Sequence, residues 1–190
     1  MARWEPNARQ RLVRAALDLF AEQGYDATTV KEIADRAGLT KTTFFRHFPD
    51  KREVLFAGQD LHARLLADAI TGAPAPATPL EAVAAGLDAM AATFTDDRRE
   101  FSAVLRPVIA GHSELQERSA LKRVKLAGAV TDALHGRGVP EPAASLAAEI
   151  GLRAFDRAFG EWADPAGRET LTDLTRRALD ELRTAMAALD

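Results

Sequence analysis

Apolar residues recur every three or four positions along almost the whole chain, and this spacing is the feature that most limits its fold. In the first such segment the pattern is formed by Leu12, Val13, Ala16, Leu17 and Phe20. The alternation of β-branched and polar residues that marks a half-buried strand is missing. The sequence therefore predicts an all-α fold, and an apolar content of 47% supplies a packed core for 190 residues.

Local start and stop signals divide this pattern into about nine helices. Capping sequences open several of them, for example at Asn7 and Thr29, and glycines such as Gly38 close them. The predicted helices cover residues 7–23, 29–36, 40–47, 51–71, 79–94, 97–110, 114–135, 142–163 and 166–188. The proline-containing stretch GAPAPATP, residues 72–79, predicts an extended connector between two of them.

Charge is distributed unevenly over a chain whose formal net charge is only −3. Residues 1–52 carry ten Lys or Arg against seven Asp or Glu, whereas residues 53–190 carry 15 against 21. A basic head on an acidic body favours a module that faces a polyanion. We therefore expect two domains, 1–52 and 53–190.

Several classes of site are excluded or disfavoured by residue content. The chain has no cysteine, which removes disulfides, thiolate metal sites and cysteine nucleophiles and favours a reducing compartment such as the cytoplasm. No export signal and no apolar run long enough to span a membrane is evident. The four histidines are scattered, so neither a metal site nor a cofactor is predicted.

A short segment, AGLTKTTFFRHFPDK at residues 37–51, combines a glycine turn with hydroxyl, cationic and aromatic side chains. Two short helices around Gly38 fit a helix-turn-helix, although a plain αα-hairpin would show the same turn. We expect a small core formed by Ile33, Ala34, Leu39, Phe44 and Phe48. The polar face would carry donors suited to base edges and phosphates in a major groove, namely Thr40, Lys41, Thr42, Thr43, Arg46 and His47.

The wider sequence around this segment resembles a known family. TTVKEIADRAGLTKTTFFRHFPDKREVLF is similar to the DNA-binding segment of TetR-family transcriptional regulators, and the preceding RLVRAALDLFAEQGYDATTV is similar to that family's first helix and loop. The clear resemblance covers roughly residues 8–56. It implies a homodimer that binds a palindromic double-stranded DNA operator through its N-terminal heads and a small-molecule effector in its helical bodies.

The resemblance also implies roles for individual residues. Thr28 or Thr29 would meet a phosphate at a helix start, Thr40 and Lys41 would begin the recognition helix, and His47 and Lys51 would contact the DNA backbone. This chain has Thr42 where the family usually has glycine, and Phe45 where it usually has tyrosine. Thr42 could touch a base or sit beside the groove. Phe45 lacks the hydroxyl that would reach a phosphate, which leaves a thymine methyl, a sugar or a core role open.

Apolar stripes in the body are candidates for an effector pocket. The candidate lining residues are His62, Leu65, Met90, Phe94, Phe101, Leu105 and Phe155, and the same residues could equally be ordinary core. Pro107 interrupts its helix pattern and predicts a kink or break, either as a coupling point or as a structural bend.

The last two predicted helices carry two seams that suggest a dimer interface. The candidate residues are Leu146, Ile150, Ala154, Ala158, Trp162, Leu171, Leu174, Ala178, Leu182 and Ala185. Their alanines permit the close helix approach that a four-helix bundle formed by two subunits requires.

Three functions are compatible with the sequence. A ligand-responsive regulator, most simply a repressor that its effector releases from DNA, accounts for both the N-terminal domain, 1–52, and the larger domain, 53–190. A helical enzyme is the rival from another class, but no Ser-His-Asp grouping or glycine-rich phosphate loop is present to serve it. A constitutive DNA-binding protein is the second rival, and an effector cavity in the body would distinguish it from a regulator.

Overall fold

The structure is a computed structural model that describes residues 7–164 and 166–189, except for the side chains of residues 96 and 97. The described residues form ten helices and no strand, which confirms the all-α prediction. The helices are α1 (Ala8–Gln23), α2 (Val30–Arg36), α3 (Lys41–His47), α4 (Lys51–Val54), α5 (Gln59–Gly72), α6 (Pro79–Ala91), α7 (Asp96–Gly111), α8 (Ser113–Gly136), α9 (Ala143–Trp162) and α10 (Leu171–Ala187).

Backbone contacts divide the chain into two compact units. The first consists of the residues up to Ala57 together with Val104–Ser119, and the second of Gly58–Ala103 and the residues from Ala120 onward. Helices α7 and α8 therefore each contribute residues to both units. The functional division at residue 52 stays a prediction.

The first unit is built around the helix-turn-helix. Ile33, Ala34, Phe44 and Phe48 are buried as predicted, and Leu39 packs partly buried against them. Other members of this core come from α1, α4 and the first turn of α8, and include Leu12, Phe20, Val54 and Leu115. Burial of these large side chains removes apolar surface from water and stabilises the arrangement of α1, α2 and α3.

The single helix predicted over residues 51–71 is wrong, because the chain forms α4 and α5 instead. The backbone N–H groups of Leu55 and Phe56 bond carbonyls only three residues earlier, as in a tight turn. Phe56 is buried in the core of the first unit, whereas α5, from Gln59, packs into the second. The turn at residues 55–58 therefore separates a short helix of the first unit from a helix of the second.

The second unit packs α5, α6, α9 and α10 with the C-terminal part of α8. One apolar cluster is formed by residues such as Leu66, Ile70, Leu87, Met90 and Leu134, and another by Trp162, Leu171, Leu174 and Leu179. A Cβ atom at Gly151 of α9 would overlap the Val83 side chain of α6. Glycine at this position therefore permits the close crossing of α6 and α9.

Arg137 ties the connector after α5 to the second unit. Its guanidinium donates to the carbonyls of Ile70 (3.2 Å), Ala73 (2.6 Å) and Pro74 (2.8 Å). A cation is favoured at this end of α5, where the last carbonyls carry partial negative charge. The stretch predicted as an extended connector is thus held at its beginning.

Helix ends follow most of the predicted signals. Thr29 with Glu32 and Thr78 with Glu81 form complete capping boxes. The predicted cap at Asn7 is wrong, since Asn7 has φ +81° and its side chain makes no capping bond. Helix α7 continues past Pro107 without a break.

Candidate nucleic-acid interface and effector cluster

The turn between α2 and α3 is fixed by local and by distant contacts. The N–H groups of Gly38 and Leu39 donate to the carbonyls of Asp35 (2.9 Å) and Ala34 (2.8 Å), which is the bond pattern of a Schellman motif. Gly38 has φ +64°, a conformation that glycine adopts at low cost. Arg11 of α1 donates to the carbonyl of Ala37, so the first helix also holds the turn.

Helix α3 presents a polar face on the first unit. Thr40 caps its N-terminus by accepting a bond from the Thr43 amide (3.1 Å), and the two hydroxyls lie 3.0 Å apart. Lys41, Thr42 and Arg46 are exposed. No described residue forms an ion pair with Lys41 or Arg46, so both charges are available to an anionic partner.

Phe45 lies on the same exposed face and not in the core. Its side chain is 47% exposed, its ring meets that of the buried Phe44 edge-on at 5.5 Å, and the Lys41 ammonium lies 5.8 Å from its centroid. The core role that the sequence left open is therefore excluded.

The two threonines at the start of α2 differ in exposure. Thr28 is 1% exposed and donates its hydroxyl proton to the Gly24 carbonyl at 2.7 Å. Thr29 is at the surface, but its amide and hydroxyl both donate to the Glu32 carboxylate at 2.8 Å. These bonds hold the pKa of Glu32 below its usual range. The phosphate role predicted for one of the two is better suited to Thr29.

Lys51 has a structural role that the sequence did not indicate. Its ammonium donates to the carbonyls of Tyr25 (2.6 Å) and Thr28 (2.9 Å) and lies 4.0 Å from the Tyr25 ring centroid. Burial lowers the pKa of Lys51. Two carbonyls and the Tyr25 ring therefore already surround this ammonium. His47 is half-buried, and its Nε2 is buried without a hydrogen-bond partner among the described residues. The backbone contacts predicted for both remain predictions.

A second polar network ties the loop after α1 to the junction of α7 and α8. The His112 ring bonds the Val108 carbonyl (2.7 Å) and the Asp26 carboxylate (3.1 Å). These two acceptors, the carbonyl first, raise the pKa of His112. Nearby, Arg52 lies 3.5 Å from Glu114, whose carboxylate is 3.5 Å from the Tyr25 hydroxyl. No local pattern in the sequence indicates these pairs, because their members are distant along the chain.

An aromatic cluster in the second unit contains three of the predicted pocket residues. The Phe94 ring lies 5.0 Å from His62 and 5.8 Å from Phe155. The cluster continues to Phe159 and Trp162, which the sequence analysis did not include in a pocket. We call the residues His62, Phe94, Phe155, Phe159 and Trp162 the aromatic cluster.

His62 is the polar member of the aromatic cluster. Burial lowers its pKa to about 4, with a smaller contribution from the charge of Arg98. Its Nε2 lies 3.3 Å from the Thr93 hydroxyl. The imidazole is therefore neutral near neutral pH and can both donate and accept one hydrogen bond.

The other predicted pocket residues differ in burial and lie in different units of the structure. Leu65 and Phe101 are half-buried in the second unit, whereas Met90 is 1% exposed and belongs to its core. Leu105 belongs to the first unit. Arg99, which the sequence analysis missed, is buried beside the cluster: its guanidinium lies 5.2 Å from the Trp162 ring and donates to the Gly167 and Glu169 carbonyls at 2.7 Å.

Most of the predicted dimer seam is buried within the chain itself. Six of its ten residues are at most 5% exposed and pack in one cluster: Ala154, Ala158, Trp162, Leu171, Leu174 and Ala178. This burial corrects the prediction for those six, because a second subunit cannot reach them. Leu146 (59% exposed) and Ala185 remain at the surface, and Ile150 and Leu182 are half-buried.

Two negative findings apply to the described ranges. No helix there is long and apolar enough to cross a membrane. Among the same residues, no three His, Asp or Glu side chains lie together as a metal site would require.

The head of the chain matches a known family. The family described as "Bacterial regulatory proteins, tetR family" matches residues 12–57. The HTH-type transcriptional regulator TcmR of Streptomyces glaucescens is 36% identical over 92 residues, which are 48% of this chain and 41% of TcmR. The chain spans less than half the length of the curated relatives that it matches.

Solved structures extend the similarity to nearly the whole chain. The TetR family transcriptional regulator PfmR from Thermus thermophilus is 25% identical with a TM-score of 0.56, over 90% of this chain and 96% of PfmR. FadR from the same organism, a TetR family transcriptional repressor in complex with lauroyl-CoA, is 21% identical with a TM-score of 0.60, over 92% and 93% of the two chains. The FadR likeness bears on the fold alone.

The helix-turn-helix of residues 12–57 therefore matches the tetR family of bacterial regulatory proteins, and the all-helical fold of the chain is similar to solved structures of TetR family transcriptional regulators.

Proposed function

We propose that this protein is a dimeric repressor that binds a palindromic operator and is released from it by a small molecule. The observation that carries the proposal is the exposed face of α3. Its two cationic side chains have no carboxylate partner among the described residues, and a turn fixed by Gly38 and Arg11 holds the helix in place. In this proposal, residues 1–52 bind DNA and residues 53–190 bind the effector and form the dimer.

The face of α3 has the chemistry of a base-reading surface. Lys41 and Arg46 supply charge and donors, and Thr42 and Thr43 supply hydroxyls of a size that fits base edges. Thr29, Thr40, His47 and Lys51 border this face and would contact phosphates. Phosphate contacts position the helix, while base contacts select the sequence.

The dimer interface that we propose is smaller than the predicted seam. Ion pairs between Arg157 and Glu181 and between Arg177 and Glu161 show that α9 and α10 run antiparallel. The start of α9 and the end of α10 therefore lie at the same end of the pair. There the exposed or half-buried apolar side chains remain, namely Leu146, Ile150, Leu182 and Ala185, followed by Leu189 at 85% exposure.

The aromatic cluster is our candidate effector site. Its rings offer an apolar surface. The Thr93 hydroxyl donates to the Met90 carbonyl and so accepts from Nε2 of the neutral His62, which leaves Nδ1 as an acceptor for a ligand. This chemistry suits an uncharged apolar molecule with a single polar group. FadR, whose fold is similar, holds lauroyl-CoA, a ligand with a long apolar chain.

Selection from a random DNA library tests the DNA-binding part of the proposal. Wild-type protein incubated with random duplexes at fixed salt should enrich a palindrome whose half-sites are about one helical turn apart. The variant Arg46→Ala should lose the enrichment, and Arg14→Ala, which removes an exposed cation of α1, should keep it. A wild-type protein that enriches no sequence would contradict the proposal.

A second measurement tests release. Small apolar compounds that shift the unfolding temperature of the wild type should lower operator affinity, and by linkage the operator should lower compound affinity by the same factor. His62→Ala and Phe94→Ala should weaken the compound and leave operator binding unchanged. A compound that binds the aromatic cluster without changing operator affinity would favour a constitutive DNA-binding protein.

A further inference from the structure

Phe45 is an unusual residue for the middle of a polar helix face. The cost of exposing an apolar ring to water is recovered when a partner covers it. Phe45 exposes 47% of its side chain, more than any other aromatic residue that the structure describes. Its neighbours on the face are Lys41 and Arg46, whose charges draw a polyanion toward it.

The Phe45 ring packs against the protein on one side and is exposed to solvent on the other. Phe44, which is fully buried, meets it edge-on at 5.5 Å and limits its movement. The Lys41 ammonium lies on the ring face at 5.8 Å. A partly immobilised ring loses little conformational freedom when it is covered.

A phenyl ring can neither donate nor accept a conventional hydrogen bond, so it cannot act on a phosphate oxygen or on most base-edge atoms. The one apolar group on the major-groove edge of a base pair is the 5-methyl group of thymine. We propose that Phe45 is a specificity-determining residue that packs against a thymine methyl group in each operator half-site. This inference rests on the proposed operator binding and adds a base preference to it.

The test begins with the operator that the wild-type protein selects from random duplexes. Each thymine of one half-site is replaced in turn by deoxyuridine, which lacks only the 5-methyl group, and binding is measured by fluorescence anisotropy at constant salt. Wild-type protein should bind one of these duplexes about fourfold more weakly, as burial of one methyl group predicts. Phe45→Ala should bind that duplex and its parent equally.

Two variants make the assignment specific. Phe45→Tyr keeps the ring and should keep the fourfold preference. Leu121→Ser removes an exposed apolar side chain of α8, outside the proposed DNA-binding face, and should also keep it. The circular dichroism and unfolding temperature of Phe45→Ala should match those of the wild type, since the side chain is half exposed.

The outcomes are distinguishable. Failure of the wild type to select any operator would overturn operator binding and this inference together. An operator whose deoxyuridine substitutions have no effect, or whose effect persists in Phe45→Ala or disappears in Leu121→Ser, would overturn the role of Phe45 and leave the proposed function intact.

Discussion

Single side chains that reach carbonyls on distant segments set the geometry of the first unit. Arg11 donates to the turn between α2 and α3, and Lys51 donates to the loop before α2. Folding removes these backbone carbonyls from water, and the two cations replace the lost water with hydrogen bonds of their own. These cations near the candidate DNA interface therefore stabilise the fold of the first unit.

Lys51 should show both of its roles when it is removed. Lys51→Ala removes one of the two donors to the Tyr25 carbonyl and the Lys51 donor to the Thr28 carbonyl, and it should lower the free energy of unfolding by about 1 kcal/mol. It should also reduce the salt dependence of DNA binding by about one unit for every sequence, because one phosphate contact is lost. Urea unfolding and titrations at several salt concentrations measure the two effects.

The control for Lys51 is Lys31→Ala. Lys31 pairs with Asp35 at the surface, where water and salt screen the pair, so its loss should leave the stability almost unchanged. An unchanged salt dependence in Lys51→Ala would rule out its phosphate contact.

His112 should make the stability depend on pH. Because the pKa of His112 is raised in the folded protein, the protonated ring stabilises the fold. This contribution to the free energy of unfolding is complete below the usual histidine pKa of about 6.5, and it is lost as the pH rises through the raised pKa of the folded state. Asp26→Asn should therefore lower the unfolding temperature more at acidic than at alkaline pH. If Asp26→Asn lowers the unfolding temperature with the same dependence on pH in a protein that also carries His112→Gln, a group other than His112 is responsible.

At the scale of elements, helix ends were predictable where the signal is local. Thr29 and Thr78 cap their helices through residues only three positions away, so the sequence contains the whole motif. The end of α4 was not predictable, since it depends on which core buries Phe56. The start of α10 was predicted five residues early. Thr170 caps the helix by accepting from the Asp173 amide, a local signal that the prediction overlooked, and Arg99 bonds the carbonyls of Gly167 and Glu169 just before this cap.

The crossing of α6 and α9 depends on Gly151. Gly151→Ala should lower the free energy of unfolding by about 1–3 kcal/mol, because the added methyl group overlaps the buried, β-branched Val83. Val83→Ala should cost less in the Gly151→Ala background than in the wild type, and urea unfolding of the four proteins gives this coupling.

Gly128→Ala is the matched control within a helix. A Cβ atom at Gly128 of α8 meets open space, so alanine there should stabilise the protein by up to about 1 kcal/mol. Equal stability of Gly151→Ala and wild type would show that the helices can separate without cost.

At the scale of the whole molecule, the sequence predicted apolar helix faces but not which partner covers each of them. The stripe containing Ala158, Trp162 and Leu174 is equally compatible with a second subunit and with the chain's own core. Periodicity shows that a face is apolar, whereas the assignment of its partner requires the packing of several helices at once. The same limit applies to the aromatic cluster: Phe155, Phe159 and Trp162 follow one another at helical spacing on α9, but their contacts with Phe94 and His62 depend on tertiary packing.

The dimer should depend on Leu146. Wild-type protein is expected to sediment as a dimer at micromolar concentration, and Leu146→Glu should sediment as a monomer because it places charge in an apolar interface. Leu121→Glu is the control, since Leu121 of α8 is also exposed, at 48%. Neither change should unfold the protein. A monomeric wild type, or dissociation caused by Leu121→Glu instead, would be evidence against this interface.

The hydrogen bonds from Arg137 to the connector after α5 limit how the length of this segment can change during evolution. Four carbonyls, those of Ile70, Thr71, Ala73 and Pro74, must stay within reach of one guanidinium. An inserted or deleted residue between Ile70 and Pro74 would move some of these carbonyls away from the guanidinium. The length of this stretch is therefore constrained, although a segment rich in alanine and proline resembles a linker whose length can vary. Length variation in this segment should therefore be found in homologues that have already replaced the arginine.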